Sequence, residues 1–273
     1  MNWNTAAAAK ASASAFLASE GLVPRVTIVD NASVPEERLR LREDLPGDTR
    51  LLLADHNMGY AAAAHAVLDH SDADAVCVSN ADVVPAPRML AALTQAVMED
   101  DRIGVAAPTF SDSDDDYHAK LPAAVALLVR PFVGSFGQRP AASVSEGEVR
   151  IVEQPAGACL VLRASIWRRF GGLDPGFFLW YEDVDLAKRL HEAGLRNVVL
   201  GAARASHTGA SAFVQMDRRT QQAIRLRSLR RYIRRHHRLL LPIAQPLIAL
   251  AWLARVRPLR LRRWPPLRNP PLP

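Results

Sequence analysis

The segment from Phe177 to Gly194 places three carboxylates directly after a run of aromatic residues. The acids are Glu182, Asp183 and Asp185, and a helical pattern continues from them to Gly194. A positioned carboxylate can take a proton from an attacking hydroxyl group. Acids at the start of a helix also cap free amides and interact favourably with the helix dipole. The segment alone therefore leaves a catalytic and a structural role open.

Polar residues also follow three predicted strands in the first hundred residues. Asp30, Asn57 and Asp82 each come shortly after a short apolar run, and a helical pattern follows each of them. The predicted strands cover residues 26–29, 50–54 and 75–79. This alternation predicts an α/β fold, a mostly parallel sheet with helices on both faces. Because ligands collect at the carboxyl ends of such strands, we expect the three polar residues to share one rim.

The sequence lacks the motifs that are typical of several classes of protein. The chain has no G-x-G-x-x-G or Walker loop, which argues against a dinucleotide oxidoreductase or an NTPase. Its two cysteines, Cys77 and Cys159, lie far apart in apolar runs and predict free thiols of a reducing compartment. The first 21 residues lack the pattern of a secretory signal. We therefore expect a cytoplasmic location.

Five segments resemble, in the same order, the motifs of family 2 glycosyltransferases. They are VTIVDNAS (26–33), NMGYAAAAHAVL (57–68), SNADVVP (79–85), the long segment 157–194 from GACLVLR to LHEAG, and HTGAS (207–211). The similarity is to the rhamnosyltransferase-like branch of bacterial cell-surface polysaccharide synthesis and spans nearly all of residues 2–211. Each motif alone is weak, whereas five in order are specific.

The resemblance implies a GT-A fold, which is a Rossmann-like domain that binds a nucleotide-sugar and a divalent metal ion. Asp30 matches the acid that contacts the nucleoside, and Asn80-Ala81-Asp82 occupies the place of the family's Asp-x-Asp motif. The implied donor-binding residues are Asp30, Asn31, Asn57, Gly59, Asn80 and Asp82. Ala64-His65 stands where relatives often have Asn-Asn, so the polar contacts to the donor can differ here.

The metal ligands implied by the resemblance are Asp82 and His207. Mg²⁺ or Mn²⁺ would neutralise the charge that develops on the leaving nucleoside diphosphate. Hard cations prefer oxygen ligands such as Asp82, and Mn²⁺ also accepts an imidazole. A structural alternative exists for each residue, because Asp82 can cap the following helix and His207 can be an ordinary buried histidine.

Asp183 matches the family's catalytic base, which implies inversion at the anomeric carbon. Such a base contributes about 10²- to 10⁴-fold to the rate. Trp180, Glu182 and Asp185 are the implied residues on the acceptor side, where aromatic rings offer an apolar face to a sugar. The implied acceptor is a polysaccharide or a lipid-linked glycan.

The chain begins with Met1-Asn2-Trp3-Asn4-Thr5, which resembles the end of the family's first strand without the apolar run before it. A central strand that is missing would leave neighbouring strand edges open. The sequence therefore predicts a GT-A fold that lacks its first strand, and a misplaced start codon or a truncated gene is our hypothesis. The alternative function is that of an inactive relative, a membrane-associated binding protein.

The C-terminal part differs sharply from the rest in charge. From residue 223 onward the chain has 13 arginines and no acid, which leaves 21 basic against 28 acidic residues before it. We divide the chain into a catalytic domain (1–218) and a basic tail (219–273) whose Pro-Arg-rich end is expected to be disordered. The apolar run at 239–254 is too short to span a membrane, so it predicts an interfacial segment on anionic lipid at the inner face of the cell membrane. Nucleic acid is the less favoured partner.

Overall fold

The computed structural model describes residues 1–111, 121–133, 144–208 and 215–255. The end of the HTGAS motif and the Pro-Arg-rich end of the tail lie outside these residues. The helices are α1 (Ala6–Leu17), α2 (Pro35–Arg42), α3 (Tyr60–Leu68), α4 (Met89–Glu99), α5 (Ala124–Val133), α6 (Ala164–Phe170), α7 (Glu182–Glu192), α8 (Arg218–His236) and α9 (Leu241–Arg255). The strands are β1 (Thr27–Asp30), β2 (Arg50–Leu53), β3 (Ala75–Ser79), β4 (Val83–Pro85), β5 (Ile103–Phe110), β6 (Val149–Val152), β7 (Cys159–Arg163) and β8 (Arg196–His207).

The strands form a pair and a larger sheet. β1 and β2 pair in parallel, and the six-stranded sheet has the order β3-β7-β5-β8-β4, with β6 also pairing with β8. β5 and β8 are parallel, whereas β7, β4 and β6 join their neighbours antiparallel. The predicted α/β class is confirmed. The antiparallel strands β4 and β6 were not predicted, because each has only three or four residues and pairs with the distant β8.

Helices cover both faces of the larger sheet. The side chains of Val76 and Val78 in β3 pack with α3, α6 and α7 on one face. The other face packs against α1 and α4, through Phe16 and Leu93 among others. This alternation follows from the period of two in a strand, which sends successive side chains to opposite faces. The loops at the strand ends are therefore held between two packed layers.

The helices α8 and α9 share a third core with the rest of the chain. Tyr232 and Ile233 of α8 are fully buried there, together with Phe177 and Val184 from the segment that carries the acids. The boundary expected at residue 218 coincides with the start of α8, but this core runs across it. In the part of the chain that the structure describes, no helix is both long and apolar enough to cross a membrane.

A cavity lies between the β1–β2 pair and the larger sheet. At its upper end Asn2 N–H donates to the Val29 carbonyl at 2.8 Å, and the Met1 amino group donates to the Ser79 carbonyl at 2.9 Å. The cavity has a volume of about 160 Å³. It is lined by α1 and α3 and by the facing strands β1 and β3, which do not pair with each other. The cavity thus lies between two strands that belong to different sheets.

We predict that an extended apolar segment fused ahead of Met1 stabilises the protein. Five β-branched residues would supply hydrogen bonds to β1 and β3 and would bury apolar side chains on both faces, as in a central parallel strand. The melting temperature should rise by about 5 °C or more. Circular dichroism during heating measures this change.

A five-residue Gly-Ser-Asp extension is the matched control, because it also removes the free amino group. Burial lowers the pKa of that group to about 6. The unfolded chain then binds the proton more tightly, so wild-type stability should fall as the pH drops from about 8 to about 6. Both extensions should remove this dependence, but only the apolar one should raise the melting temperature. Equal melting of the two extended proteins would contradict the prediction.

Candidate active site

A second cavity, of about 100 Å³, opens at the carboxyl ends of the strands. Five of the six predicted donor-binding residues line it: Asn31, Asn57, Gly59, Asn80 and Asp82. Residues from other parts of the chain complete the wall: Met1, Asn2, Trp3, Thr5, Tyr60, Ala81, Phe178, Leu179 and Met216. Of the three polar residues expected to share one rim, Asn57 and Asp82 therefore lie together, in a concave pocket of mixed polar and apolar lining.

Asp30 does not line this pocket. Its side chain is fully buried and accepts hydrogen bonds from the Asn2 side chain and from Ser33, and it pairs with Arg38 at 2.9 Å. The Asn2 side chain in turn accepts from Thr5 at the start of α1. In this structure the carboxylate holds the end of the N-terminal segment beside β1. The nucleoside contact expected from the resemblance is not visible in the pocket lining.

The loop before α3 is fixed against the segment that carries the acids. Gly59 has φ 85°, and a Cβ atom there would lie 2.4 Å from the Phe178 carbonyl oxygen. Tyr60 N–H donates to the same carbonyl at 2.9 Å. Asn31 bridges the loop, since it donates to the Gly59 carbonyl and accepts from Met58 N–H. Glycine is required here both for the left-handed backbone and for the close approach.

Asp82 and His207 meet at the pocket. Asp82 directly precedes β4, and His207 is the last residue of β8, where it pairs with Val83. The Asp82 carboxylate and the His207 Nε2 are 3.3 Å apart, and both side chains are buried. Asn80 Nδ2 lies 3.3 Å from the same nitrogen.

One carboxylate and one imidazole at this distance fit a divalent cation that accepts oxygen and nitrogen ligands, such as Mn²⁺. Among the described residues, no group of three or more His, Cys, Asp or Glu side chains converges on one point. The described residues would therefore contribute two ligands, Asp82 and His207. The open positions would be available to water and to phosphate oxygens.

Asp183 lies at the first turn of α7, packed against the backbone of Gly157. A Cβ atom at Gly157 would lie 2.6 Å from the Asp183 Oδ2, so only glycine leaves room for this carboxylate. Burial raises the pKa of Asp183, although hydrogen bonds from Val184 N–H, from Gln154 and from Gly157 N–H partly offset the rise. A carboxylate with a raised pKa is a better proton acceptor than an exposed one.

Glu182, the residue directly before Asp183, is buried. None of the described residues hydrogen-bonds to its Oε2 atom, and burial together with the neighbouring Asp183 charge raises the pKa of Glu182 well above its usual value. Burial and the negative charge of Glu182 also raise the pKa of Tyr60. We infer that, of the two adjacent carboxyl groups, Glu182 holds the proton and Asp183 carries the charge, because Asp183 has the hydrogen-bond donors.

Trp180 and Asp185 have partners in α8. The guanidinium of Arg225 lies 4.5 Å from the centre of the Trp180 ring, which is half-buried. Asp185 is completely buried and pairs with Arg189, Arg235 and His236. Burial alone would raise the pKa of Asp185, but the hydrogen bond from His236 and the two arginine charges lower it. Its carboxylate is thus directed into the protein and occupied there, which does not support the predicted contact with an acceptor.

Several residues of the pocket gave little or no signal in the sequence. Asn2 and Trp3 belong to a segment that resembles the family's first motif, and that resemblance could have included them. Met216 gave no signal. It reaches the pocket because Gln215 donates to the Asn4 carbonyl, a contact across 211 positions of the chain. Contacts of this range arise from tertiary packing alone.

We predict that Glu182→Gln changes how stability depends on pH. A carboxyl group whose pKa is raised by folding loses its stabilising effect as the pH rises above its unfolded value of about 4.3. Glutamine cannot ionise and so does not lose stability in this way. The melting temperature of the variant minus that of the wild type should therefore be higher at pH 8 than at pH 5, by about 3 °C or more. Differential scanning calorimetry measures it. Glu146→Gln at an exposed turn is the control, and a constant difference for Glu182→Gln would show that the carboxyl does not hold a proton.

Comparison with known proteins agrees with the fold. A model of the family described as Glycosyl transferase family 2 matches residues 4–170. Two curated sequences from Mycobacterium tuberculosis strains, each named N-acetylglucosaminyl-diphospho-decaprenol L-rhamnosyltransferase, are 30% identical over 216 positions, which cover 70% of this chain and 70% of each relative.

Solved structures share the fold. A mannosyltransferase from Pyrobaculum calidifontis, in complex with GDP-Man and Mn²⁺, superposes with a TM-score of 0.57 at 17% identity and covers 93% of this chain and 72% of its own. S. aureus TarS residues 1–349 in complex with UDP superposes with a TM-score of 0.52 at 12% identity. The match covers 93% of this chain and 64% of the TarS chain. The sequence matches show the family and the structures show the GT-A fold. The chain belongs to glycosyltransferase family 2 and is a glycosyltransferase of the rhamnosyltransferase-like type.

Proposed function

We propose that this protein is an inverting glycosyltransferase that moves a sugar, rhamnose or another hexose, from a nucleoside diphosphate to a lipid-linked glycan or polysaccharide acceptor. The observation that carries the proposal is the position of Asp183. Its carboxylate packs on Gly157, and the next residue, Ala158, accepts a hydrogen bond from Asn80 N–H of the donor pocket. A proton acceptor thus adjoins a pocket that can hold a donor.

The pocket suits a nucleotide-sugar in shape and chemistry. Asn31, Asn57 and Asn80 supply amide groups, while Trp3, Tyr60 and Phe178 supply apolar surface on which a ring can pack. We assign the nucleotide to this cavity. The mannosyltransferase and TarS, which share the fold, were solved with GDP-Man and UDP respectively, and this supports a nucleotide donor.

Asp82 and His207 would hold Mg²⁺ or Mn²⁺ at the edge of the same pocket. When bound, the ion would supply positive charge next to the diphosphate as the glycosidic bond breaks. Asp82 lines the pocket, and its buried position beside His207 at 3.3 Å leaves the pair ready to share one cation. The mannosyltransferase was solved with Mn²⁺, which supports a divalent ion in this fold.

The base in this proposal is Asp183. It takes the proton of the acceptor hydroxyl while that oxygen attacks the anomeric carbon from the side opposite the leaving diphosphate, so the configuration inverts. Glu182 keeps its own proton and limits the negative charge beside the base. The half-buried Trp180 offers a ring face to the acceptor, whereas we assign no acceptor contact to Asp185.

The two mycobacterial relatives suggest the substrates. Their name states that they transfer L-rhamnose to N-acetylglucosaminyl-diphospho-decaprenol, a sugar on a lipid diphosphate. We propose an acceptor of this chemical class for the present chain. No comparison supports the alternative of an inactive binding protein, since the family and the relatives are enzymes.

A lipid-linked acceptor is met at a membrane, and α9 has a surface for one. Its buried residues Ala244, Ile248 and Ala251 face the third core. Ile243, Leu250 and Leu253 are about half exposed, and their spacing places them on another side of the helix. The Leu239 side chain, just before α9, is 93% exposed. An apolar helix face of this kind next to arginines fits a peripheral position on the inner, anionic face of the cell membrane.

We predict that Asp183→Asn lowers the turnover number by about 10²- to 10⁴-fold, because asparagine cannot accept the proton. The affinity for the nucleotide-sugar should stay within about threefold, since Asp183 does not line the donor pocket. Release of the nucleoside diphosphate in the presence of Mn²⁺ and N-acetylglucosaminyl-diphospho-decaprenol as the acceptor measures the first quantity. Isothermal titration with a panel of nucleotide-sugars measures the second.

Two further variants make this result specific. Asp48→Asn removes an exposed acid from a turn and should behave as wild type. Asp82→Asn should weaken the stimulation by Mn²⁺ and the binding of donor together. Turnover that persists in Asp183→Asn would refute the assignment of the base. Failure of the wild-type protein to bind any nucleotide-sugar would refute the donor.

We predict that the triple variant Ile243→Ser, Leu250→Ser and Leu253→Ser binds vesicles containing phosphatidylglycerol at least tenfold more weakly. The loss follows from the apolar area removed from the lipid interface. Co-sedimentation at several salt concentrations measures it, and binding should weaken with salt because exposed arginines such as Arg227 and Arg230 take part.

The matched control is Val149→Ser with Ile151→Ser, which removes two equally exposed apolar side chains from β6. This control should bind vesicles as wild type does. Equal loss in both proteins would mean that no specific face is involved. Binding of duplex DNA in preference to vesicles would favour the nucleic-acid partner instead.

A further inference from the structure

The residues from Asp174 to Asp185 form one segment, here called the base segment, that carries Trp180 and Asp183. Within it, Trp180 and Tyr181 have φ angles of 63° and 71°. The left-handed region is unfavourable for non-glycine residues, because the Cβ atom comes close to the backbone carbonyl oxygen. The local sequence therefore does not favour this shape, and the surroundings must hold it.

The two ends of the base segment are fixed by α8. Asp174, at one end, accepts from Arg231 through both carboxylate oxygens at 2.8 Å and from Arg235 at 2.6 Å. Asp185, at the other end, lies 3.1 Å from Arg235 Nε and 2.7 Å from His236 Nε2. Arg235 thus contacts both ends of the segment. Both carboxylates are buried, which makes their loss costly for the local structure.

The middle of the base segment also packs on α8. Ser228 Oγ donates to the Leu179 carbonyl at 2.8 Å, and the Tyr232 ring lies 5.4 Å from that of Tyr181. The guanidinium of Arg231 lies against Gly176, where a Cβ atom would be 1.9 Å from its Cζ. The glycine therefore makes room for the arginine that holds Asp174.

We infer that α8 is a positioning element for catalysis, in which Arg231, Arg235 and His236 hold the base segment so that Asp183 faces the donor pocket. The same segment supplies Phe178 and Leu179 to that pocket, so its position sets the distance between the base and the donor. A displacement of about 1 Å at such a site can lower the rate by about 10²-fold. This inference rests on the proposed function, in which Asp183 is the base.

The test compares Arg235→Gln and Arg231→Gln with Arg218→Gln, which removes the same charge from an exposed position at the start of α8. Hydrogen exchange of the amides at 176–183 should be at least tenfold faster in the first two variants and unchanged in the third. The turnover number at saturating donor should fall at least tenfold in the first two variants, measured well below their melting temperatures. Arg235→Lys should recover only part of the lost turnover, since one ammonium group cannot contact Asp174 and Asp185 together as the guanidinium does.

Val97→Ala in α4 is the control for general loss of stability, because it creates a small cavity in a different core. It should lower the melting temperature while leaving exchange at 176–183 and turnover unchanged. The inference is overturned if exchange is unchanged in Arg235→Gln and Arg231→Gln, or if it quickens while turnover stays within twofold of Arg218→Gln. If the wild-type protein transfers no sugar, the proposed function fails, and the exchange data alone decide whether α8 holds the segment.

Discussion

The close approach of Gly59 to the Phe178 carbonyl joins the two halves of the site. Most of the pocket residues come from the first hundred residues, whereas Asp183, the base in our proposal, lies far along the chain, so nothing in the local sequence brings them together. The absence of a side chain at Gly59 lets the two backbones touch, and the hydrogen bond from Tyr60 N–H fixes their separation. Any larger residue at 59 would push the base segment away from the pocket. The relation between donor and base therefore depends on this contact.

The three acids at the start of α7 are all carboxyl groups, but their surroundings give them different properties. Glu182 is buried, and no described residue hydrogen-bonds to one of its oxygens. Asp183 is half-buried beside backbone donors, and Asp185 is buried among cations. Folding consequently raises the pKa of the first two and lowers that of the third. In our proposal Glu182 holds a proton and Asp183 accepts one, while Asp185 ties α7 to α8. The helix cap that the sequence suggested is a minor part of what these residues do.

The arginine-rich region also divides between two environments. Arg231 and Arg235 of α8 face inward to Asp174 and Asp185, whereas Arg227 and Arg230 are exposed. Composition described the region as a basic tail, because a count of charges cannot show which of them are already neutralised. The apolar residues of α9 divide in the same way, with one side in the third core and another exposed. A single helical pair thus both packs into the fold and exposes an apolar helix side.

The sequence by itself determined the α/β class, the position of most helices and strands, and five of the residues that line the pocket. Those features depend on short-range signals, namely apolar runs, turn residues and ordered motifs, which can be read within ten or twenty positions. It could not determine the antiparallel strands β4 and β6, the cavity between β1 and β3, or the contribution of Met216 to the pocket. Each of these depends on pairing between distant segments, as in the contact of Gln215 with Asn4. The direction of each acid was likewise decided by tertiary structure, because adjacent side chains on α7 face different neighbours, and only the fold brings the arginines of α8 to Asp185 and the backbone of Gly157 to Asp183.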